Sequence, residues 1–194
     1  MPGIVTHGHQ IGLIAQTDSL AQVNQERTAM IAKRTLRECS VFQPLTDDEL
    51  AKILTLAVDK EYEAGTTIFQ QGDYAGELFV IQEGKVALQM QLPTTLPQMS
   101  RSVTVDLLTT SDLLGWSAVV EPHLCTLTAI CLQRVKVAAI SGTSLKSALQ
   151  DNPSLGYQFL DGLIKVVASR LDDTRRLLIS ERLWNPKPEE VGSL

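Results

Sequence analysis

The stretch GTTIFQQGDYAGELFVIQEGKVAL, residues 65–88, decides the fold. Its glycines, Gly65, Gly72, Gly76 and Gly84, recur at intervals of seven, four and eight residues and separate short segments of alternating character. Alternation of apolar and polar side chains with a period of two is typical of half-buried strands. Glycine at the corners permits backbone conformations that other residues avoid. The stretch therefore predicts an antiparallel barrel or roll.

Helical patterns flank this strand-rich middle. A loose helical pattern covers residues 19–36, and Thr46 with Glu49 three positions later is the signature of a capping box that starts the next helix. Further strands are predicted at 102–108, 126–132 and 135–140, with a polar, proline-containing loop at 92–102. A short helix over 142–149 and a long helix from Pro153 to about Leu183 follow.

Helices and strands are thus segregated along the chain, which predicts an α+β protein and not an alternating βαβ plan. We expect a jelly-roll-like antiparallel β-roll of about eight strands, with N-terminal helices and a long C-terminal dimerisation helix. The domain division that we predict is 1–35 for an N-terminal lead-in and helix, 36–152 for the β-roll, 153–184 for the long helix and 185–194 for a tail.

Composition excludes several classes of function. With 17 Lys and Arg against 22 Asp and Glu, the 194-residue chain carries a net charge of −5, which disfavours a free-standing nucleic-acid binder. We expect no secretory signal peptide, because histidines, glycines and a glutamine interrupt the apolar residues of the N-terminus; no apolar run reaches membrane length, and the three cysteines are widely spaced without a CxxC pair. We therefore expect a cytoplasmic protein with no membrane association, disulfide framework or zinc site. No nucleophile–base pair or carboxylate pair stands out, so the sequence predicts no enzyme.

Several segments together resemble one family. They are residues 36–42, 45–50, 65–73, 78–86, 111–115 and 137–141. In this order they are similar to cyclic-nucleotide-binding domains, and the resemblance to the sensor half of bacterial catabolite-activator (Crp/Fnr-type) regulators covers about residues 35–183. It implies a non-enzymatic regulatory module that binds cyclic AMP, cyclic GMP or another small ligand and signals as a homodimer.

The resemblance also implies a phosphate-binding cassette, a short helix between two strands whose N-terminal amides face a cyclic phosphate. In the family a Gly–Glu pair opens the cassette, and an Arg and a small hydroxyl residue follow about ten residues later. Here Trp116 follows Gly115, and Cys125-Thr126 stands where the Arg and the hydroxyl residue are expected. Losing the charge-assisted hydrogen bond of the Arg forfeits about 1.5–3 kcal/mol, which weakens binding by one or two orders of magnitude.

The candidate ligand-binding residues are therefore Gly115, Trp116, Ser117, Ala118, Cys125, Thr126 and Thr174. Two interpretations of Trp116 stay open: a core aromatic that fills the pocket or packs beneath the cassette, or a stacking residue for a less polar ligand. Cys125 is read as a buried small hydrophobe, with a redox or metal role as the alternative.

The long helix carries a narrow apolar seam of coiled-coil type, formed by Leu160, Ile164, Val167, Leu171, Thr174 and Leu178. By resemblance this seam is the dimer axis and Thr174 reaches the nucleotide base; the alternative is a polar residue tolerated in the seam. Arg170 and Arg175 alternate with acidic residues, which predicts a solvated, salt-bridged flank. Ten residues with two prolines follow the helix, so we expect no DNA-reading module and no direct DNA binding. A downstream protein partner is compatible with this, and the alternative function is a degenerate-pocket interaction module that binds no nucleotide.

Overall fold

The computed structural model describes residues 30–92 and 101–184. The predicted lead-in before residue 30, the loop at 93–100 and the tail at 185–194 lie outside this part of the chain. Four α-helices are described: α1 (residues 30–38), α2 (Asp47–Leu56), α3 (Gly142–Asp151) and α4 (Pro153–Trp184).

The start of α2 is the predicted capping box. The hydroxyl oxygen of Thr46 accepts a hydrogen bond from the Glu49 amide (3.3 Å), and the Glu49 carboxylate accepts one from the Thr46 amide (2.9 Å). These two bonds satisfy amide groups that the first turn leaves without helical partners. Leu50 and Ile53 then bury one face of the helix.

In the described part of the chain, eight antiparallel strands form two four-stranded sheets. Their bounds are β1 (Ala57–Tyr62), β2 (Thr67–Phe69), β3 (Glu77–Glu83), β4 (Val86–Leu92), β5 (Arg101–Leu108), β6 (Leu113–Leu114), β7 (Thr128–Cys131) and β8 (Val135–Ser141). The strand orders are β1-β8-β3-β6 and β2-β7-β4-β5. This arrangement confirms the predicted α+β class and the β-roll.

Two of the glycines show why the sequence pattern decides the roll. Gly84, between β3 and β4, has φ +107°, and a Cβ there would lie 2.6 Å from the Arg134 carbonyl oxygen. Gly65, between β1 and β2, has φ +81° and open space around it. A side chain is disfavoured at both corners by the backbone conformation and excluded at Gly84 by close approach as well.

The strand predicted over 126–132 is shorter than expected and spans Thr128–Cys131. Just before the predicted strand, the backbone of Cys125 pairs with a loop: its amide donates to the Asp73 carbonyl (2.9 Å) and its carbonyl accepts from the Gly72 amide (2.8 Å). The predicted domain boundary at residues 35 and 36 falls inside α1. The end of α3 lies at Asp151, two residues beyond the predicted helix.

Two hydrophobic clusters hold the fold together. One lies between the inner faces of the two sheets and includes Ile81, Leu88 and Val137. The other joins the β1-β8-β3-β6 sheet to the helices, with the Phe42 and Phe159 rings 5.8 Å apart. No helix in the described ranges has the length and apolar character needed to cross a membrane.

Candidate functional site

The candidate site begins at Gly115, which directly follows β6. Gly115 is left-handed (φ +74°, ψ +24°) and caps a short 3₁₀ helix, Trp116–Val119. A Cβ at this position would lie 2.7 Å from the Glu77 carbonyl oxygen and 3.1 Å from Cδ2 of Phe79. Both the backbone conformation and the contact with β3 require glycine, so this residue sets the direction in which the cassette segment (residues 115–126) leaves the sheet.

The turn after Gly115 packs between the β1-β8-β3-β6 sheet and α3. Ser117 and Ala118 are buried, and the Ala118 amide donates to the Gly115 carbonyl at 3.0 Å. On the other side, Gly142 at the start of α3 lies against the Ala118 carbonyl with no room for a Cβ. The cassette segment is therefore in direct contact with the first turn of α3.

The two positions where the family pattern carries charge hold uncharged side chains. Trp116 is partly buried and packs against the cluster that joins sheet and helices. Cys125 is buried in the same cluster, and this burial raises the pKa of its thiol. Thr126 is exposed. A phosphate at the cassette would therefore find no cationic side chain at residues 116 and 125.

The helix α4 reaches the site through Arg170. Its Nη2 donates to the carbonyl of Leu113 in β6, and its Nε lies 3.4 Å from the Asp106 carboxylate in β5. The Arg170 side chain is only 20% exposed, and burial lowers its pKa. The prediction of a solvated flank is wrong for Arg170, although Arg175 does form an exposed ion pair with Asp172 at 3.4 Å.

The sequence pattern carried no signal for Arg170, because its partner Leu113 is 57 residues away and in another element. One turn beyond, the Thr174 hydroxyl donates to the Arg170 carbonyl at 2.8 Å. Thr174 is thus bonded within its own helix, and it is partly buried. Its predicted contact with a nucleotide base stays a prediction.

Two clefts adjoin these residues. The first has a volume of about 360 Å³ and is lined by both signs of charge, Asp106, Asp112 and Asp173 together with Lys165 and Arg170. The second, of about 320 Å³, lies between the cassette segment and α3. In the described part of the chain, no three His, Cys, Asp or Glu side chains are grouped so as to hold a metal ion.

The predicted dimer seam divides along α4. Leu160, Ile164 and Leu171 are 51%, 67% and 49% exposed, whereas Val167 is partly buried against the domain core. The side chain of Leu178 lies outside the described part. Other side chains of the first half, Leu155, Phe159 and Leu163, are buried. The first half of α4 therefore anchors the helix to the domain core through these buried side chains. Leu160, Ile164 and Leu171 form a row of apolar side chains that faces away from the domain.

Comparison with known families assigns the roll and the cassette segment to a family. Residues 59–152 match the cyclic nucleotide-binding domain family. This segment is a cyclic nucleotide-binding domain. The domain includes every strand of the roll except the first two residues of β1, the whole cassette segment and α3.

Relatives and solved structures agree with this assignment. A CRP-like cAMP-activated global transcriptional regulator of Mycobacterium tuberculosis is 24% identical over 157 residues, which are 81% of this chain and 66% of the regulator. A cyclic nucleotide-binding domain from Methylobacillus flagellatus superposes with a TM-score of 0.68 at 14% identity, over 80% of this chain and 84% of that one. The regulatory domain of Toxoplasma gondii PKA with cAMP gives 0.55 at 18% identity, over 65% and 46%. At these identities the two structures show the fold, and the chain spans slightly less than two thirds of the mycobacterial relative.

Proposed function

We propose that this chain is a non-enzymatic regulatory module that binds a small ligand at the cassette segment and signals through α4 in a homodimer. The observation that carries the proposal is the family match over residues 59–152. The mycobacterial relative is described as cAMP-activated, and the Toxoplasma domain is in complex with cAMP. By similarity, cyclic AMP is the first candidate ligand, and cyclic GMP or another small ligand follows.

In the binding mode that we propose, backbone groups of the cassette segment take the place of charged side chains. The segment is fixed at both ends, at Gly115 by its close contact with the Glu77 carbonyl and at Cys125 by the hydrogen bond that its backbone N–H donates to the Asp73 carbonyl. With Trp116 and Cys125 uncharged, a bound phosphate lacks a charge-assisted hydrogen bond worth about 1.5–3 kcal/mol. The affinity for a cyclic nucleotide is then about ten- to 150-fold lower than with the family's Arg in place.

A second candidate function is favoured by the same two side chains. Trp116 and Cys125 both contribute to the hydrophobic cluster, so these positions stabilise the fold instead of offering charge to a ligand. A module with this cassette could bind a protein partner and no nucleotide. The two candidates differ in one measurable property, the heat of cyclic nucleotide binding.

Isothermal titration calorimetry of the full chain with cyclic AMP, cyclic GMP and a cyclic dinucleotide tests the proposal. We expect saturable heat for at least one of them, together with thermal stabilisation. In the double variant Trp116→Glu, Cys125→Arg, cyclic nucleotide affinity should rise about tenfold or more. Absence of heat in both proteins would reject the nucleotide-binding version and favour the interaction module.

A matched control separates a specific contact from added charge. Leu124→Arg introduces the same guanidinium one residue away, at a side chain that is 46% exposed, and should leave nucleotide affinity unchanged. Because Cys125 is buried, the melting temperature of the double variant is measured first. If that variant does not fold, Trp116→Glu alone and the unaltered chain still carry the test.

In this proposal, the exposed side of α4 forms the dimer interface. Leu160, Ile164 and Leu171 present apolar surface that would be buried in a helix–helix interface. The occupant that we propose is the same helix of a second copy, by similarity to the regulators that the chain resembles. A cytoplasmic location and a downstream protein partner belong to the same proposal.

A further inference from the structure

The cleft between the cassette segment and α3 carries a second inference. One wall is a single face of α3, with Thr143, Lys146, Ser147 and Gln150; Lys146 and Ser147 lie three and four residues after Thr143, and Gln150 lies three residues after Ser147. The opposite wall is Tyr74, Ala118 and His123. Its volume of about 320 Å³ is at the lower end of the range for small-molecule sites. Of the predicted ligand-binding residues, only Ala118 lines it.

The polar groups of this cleft share one character: they can all donate hydrogen bonds. Two hydroxyls, an amide, a phenol, an imidazole and the Lys146 ammonium line the walls, and no carboxylate does. Lys146 forms no ion pair with any described side chain. Asp73 does not line the cleft, and its carboxylate accepts a hydrogen bond from the Gln70 amide at 2.9 Å. The cleft is therefore suited to an anion.

His123 and Tyr74 are held in a defined arrangement. Nδ1 of His123 lies 3.1 Å from the Ser117 carbonyl oxygen, which can only accept, so Nδ1 carries a proton and Nε2 is left for another partner. The Tyr74 ring meets the His123 ring edge-on, with centroids 6.2 Å apart at 62°. Tyr74 is 73% exposed, so a face of its ring is available for stacking.

We propose that this cleft is a second binding site, for a small molecule that carries a phosphate group and a planar ring. The phosphate lies at Lys146 and the hydroxyls of Thr143 and Ser147, because a phosphate presents several acceptor oxygens and a charge of about −1.5 to −2. The first turn of α3, where Thr143 lies, adds the partial positive charge of a helix N-terminus. The ring stacks on Tyr74.

The test uses phenyl phosphate, inorganic phosphate and phenol as probes, titrated calorimetrically into the full chain in a phosphate-free buffer. We expect saturable binding of phenyl phosphate, weaker binding of inorganic phosphate and none of phenol. Lys146→Gln should weaken phenyl phosphate binding about tenfold or more, since it removes a charge-assisted contact. Tyr74→Ala should reduce phenyl phosphate to the affinity of inorganic phosphate.

Lys165→Gln is the matched control, because Lys165 is a helical lysine that pairs with Asp161 and does not line this cleft. It should leave phenyl phosphate binding unchanged. Equal affinities of the Lys146→Gln variant and the unaltered chain, or no saturable heat at millimolar phenyl phosphate, would overturn the proposal. None of the probes is a cyclic nucleotide, so failure at the cassette and failure at this cleft are observed separately.

Discussion

Replacing Gly115 by Ala is the sharpest test of how the cassette segment is held. The left-handed conformation costs a non-glycine residue about 1–2 kcal/mol. The added Cβ would also lie 2.7 Å from the Glu77 carbonyl oxygen, which forces a backbone shift that costs about 1–3 kcal/mol. We therefore expect Gly115→Ala to lower the free energy of unfolding by about 2–5 kcal/mol.

Gly65→Ala is the matched control for this prediction. Gly65 is also left-handed (φ +81°), but an added Cβ there meets no atom within 4 Å. Only the conformational cost of about 1–2 kcal/mol applies. The difference between the two variants, about 1–3 kcal/mol, isolates the close contact of the cassette segment with β3.

Urea unfolding followed by circular dichroism measures both variants, at one fixed protein concentration because association stabilises the folded chain. Titration of the folded Gly115→Ala variant with a cyclic nucleotide then shows whether the backbone shift at residue 115 changes the affinity of the ligand site. If the two variants lose the same free energy of unfolding within about 0.5 kcal/mol, the contact with the Glu77 carbonyl does not hold the cassette segment, and our account of Gly115 is wrong.

Three further predictions follow from contacts described above. The side chain of Ile164 is 67% exposed, and Ile164→Glu should weaken dimerisation measured by analytical ultracentrifugation. The neighbouring change Lys165→Glu should not weaken it. If neither change affects the dimer, the interface lies elsewhere. Arg170→Gln should lower the free energy of unfolding by about 1–3 kcal/mol, because the Leu113 carbonyl and Asp106 lose their buried partner; an unchanged urea midpoint would contradict this. The three buried thiols should react slowly with a disulfide reagent at pH 8, since burial raises their pKa, that of Cys39 to about 11; rapid reaction in the folded chain would show that they are accessible.

The raised pKa of Cys39 also fixes the sign of its pH dependence. A group whose pKa is higher in the folded than in the unfolded chain contributes stability that is present below the unfolded value, near 9, and is lost as the pH rises towards about 11. Alkaline destabilisation over this range should be smaller in Cys39→Ala than in the unaltered chain.

Features that depend on neighbouring residues could be predicted from the sequence. The capping box at Thr46 and Glu49 involves residues three positions apart, and it is present. Glycine corners such as Gly84 were predicted from spacing alone, because a tight corner constrains its own residue regardless of what packs nearby. Element order and fold class followed from such local signals.

Features that depend on distant residues could not be predicted in this way. The charge pattern of α4 placed Arg170 in solvent, yet Asp106 and Leu113 fold over it from two strands. Spacing located Trp116 but left open whether its ring points to the core or to a ligand. The cleft beside α3 was not predicted, since Tyr74 and Lys146 face each other across it only after the roll has closed.

The anchoring of α4 has a mechanical consequence. Gly162 lies against the 39–45 turn, where a Cβ would be 2.7 Å from the Val41 carbonyl oxygen. Among the side chains of α4 that the structure describes, Arg170 is the last that bonds to the strands. Between Arg170 and Trp184 the helix extends for about 21 Å at 1.5 Å per residue. A tilt of about 10° at Arg170 would move the far end by about 4 Å at this length. A tilt of α4 about Arg170 would therefore displace the end of the helix much further than the residues next to β6.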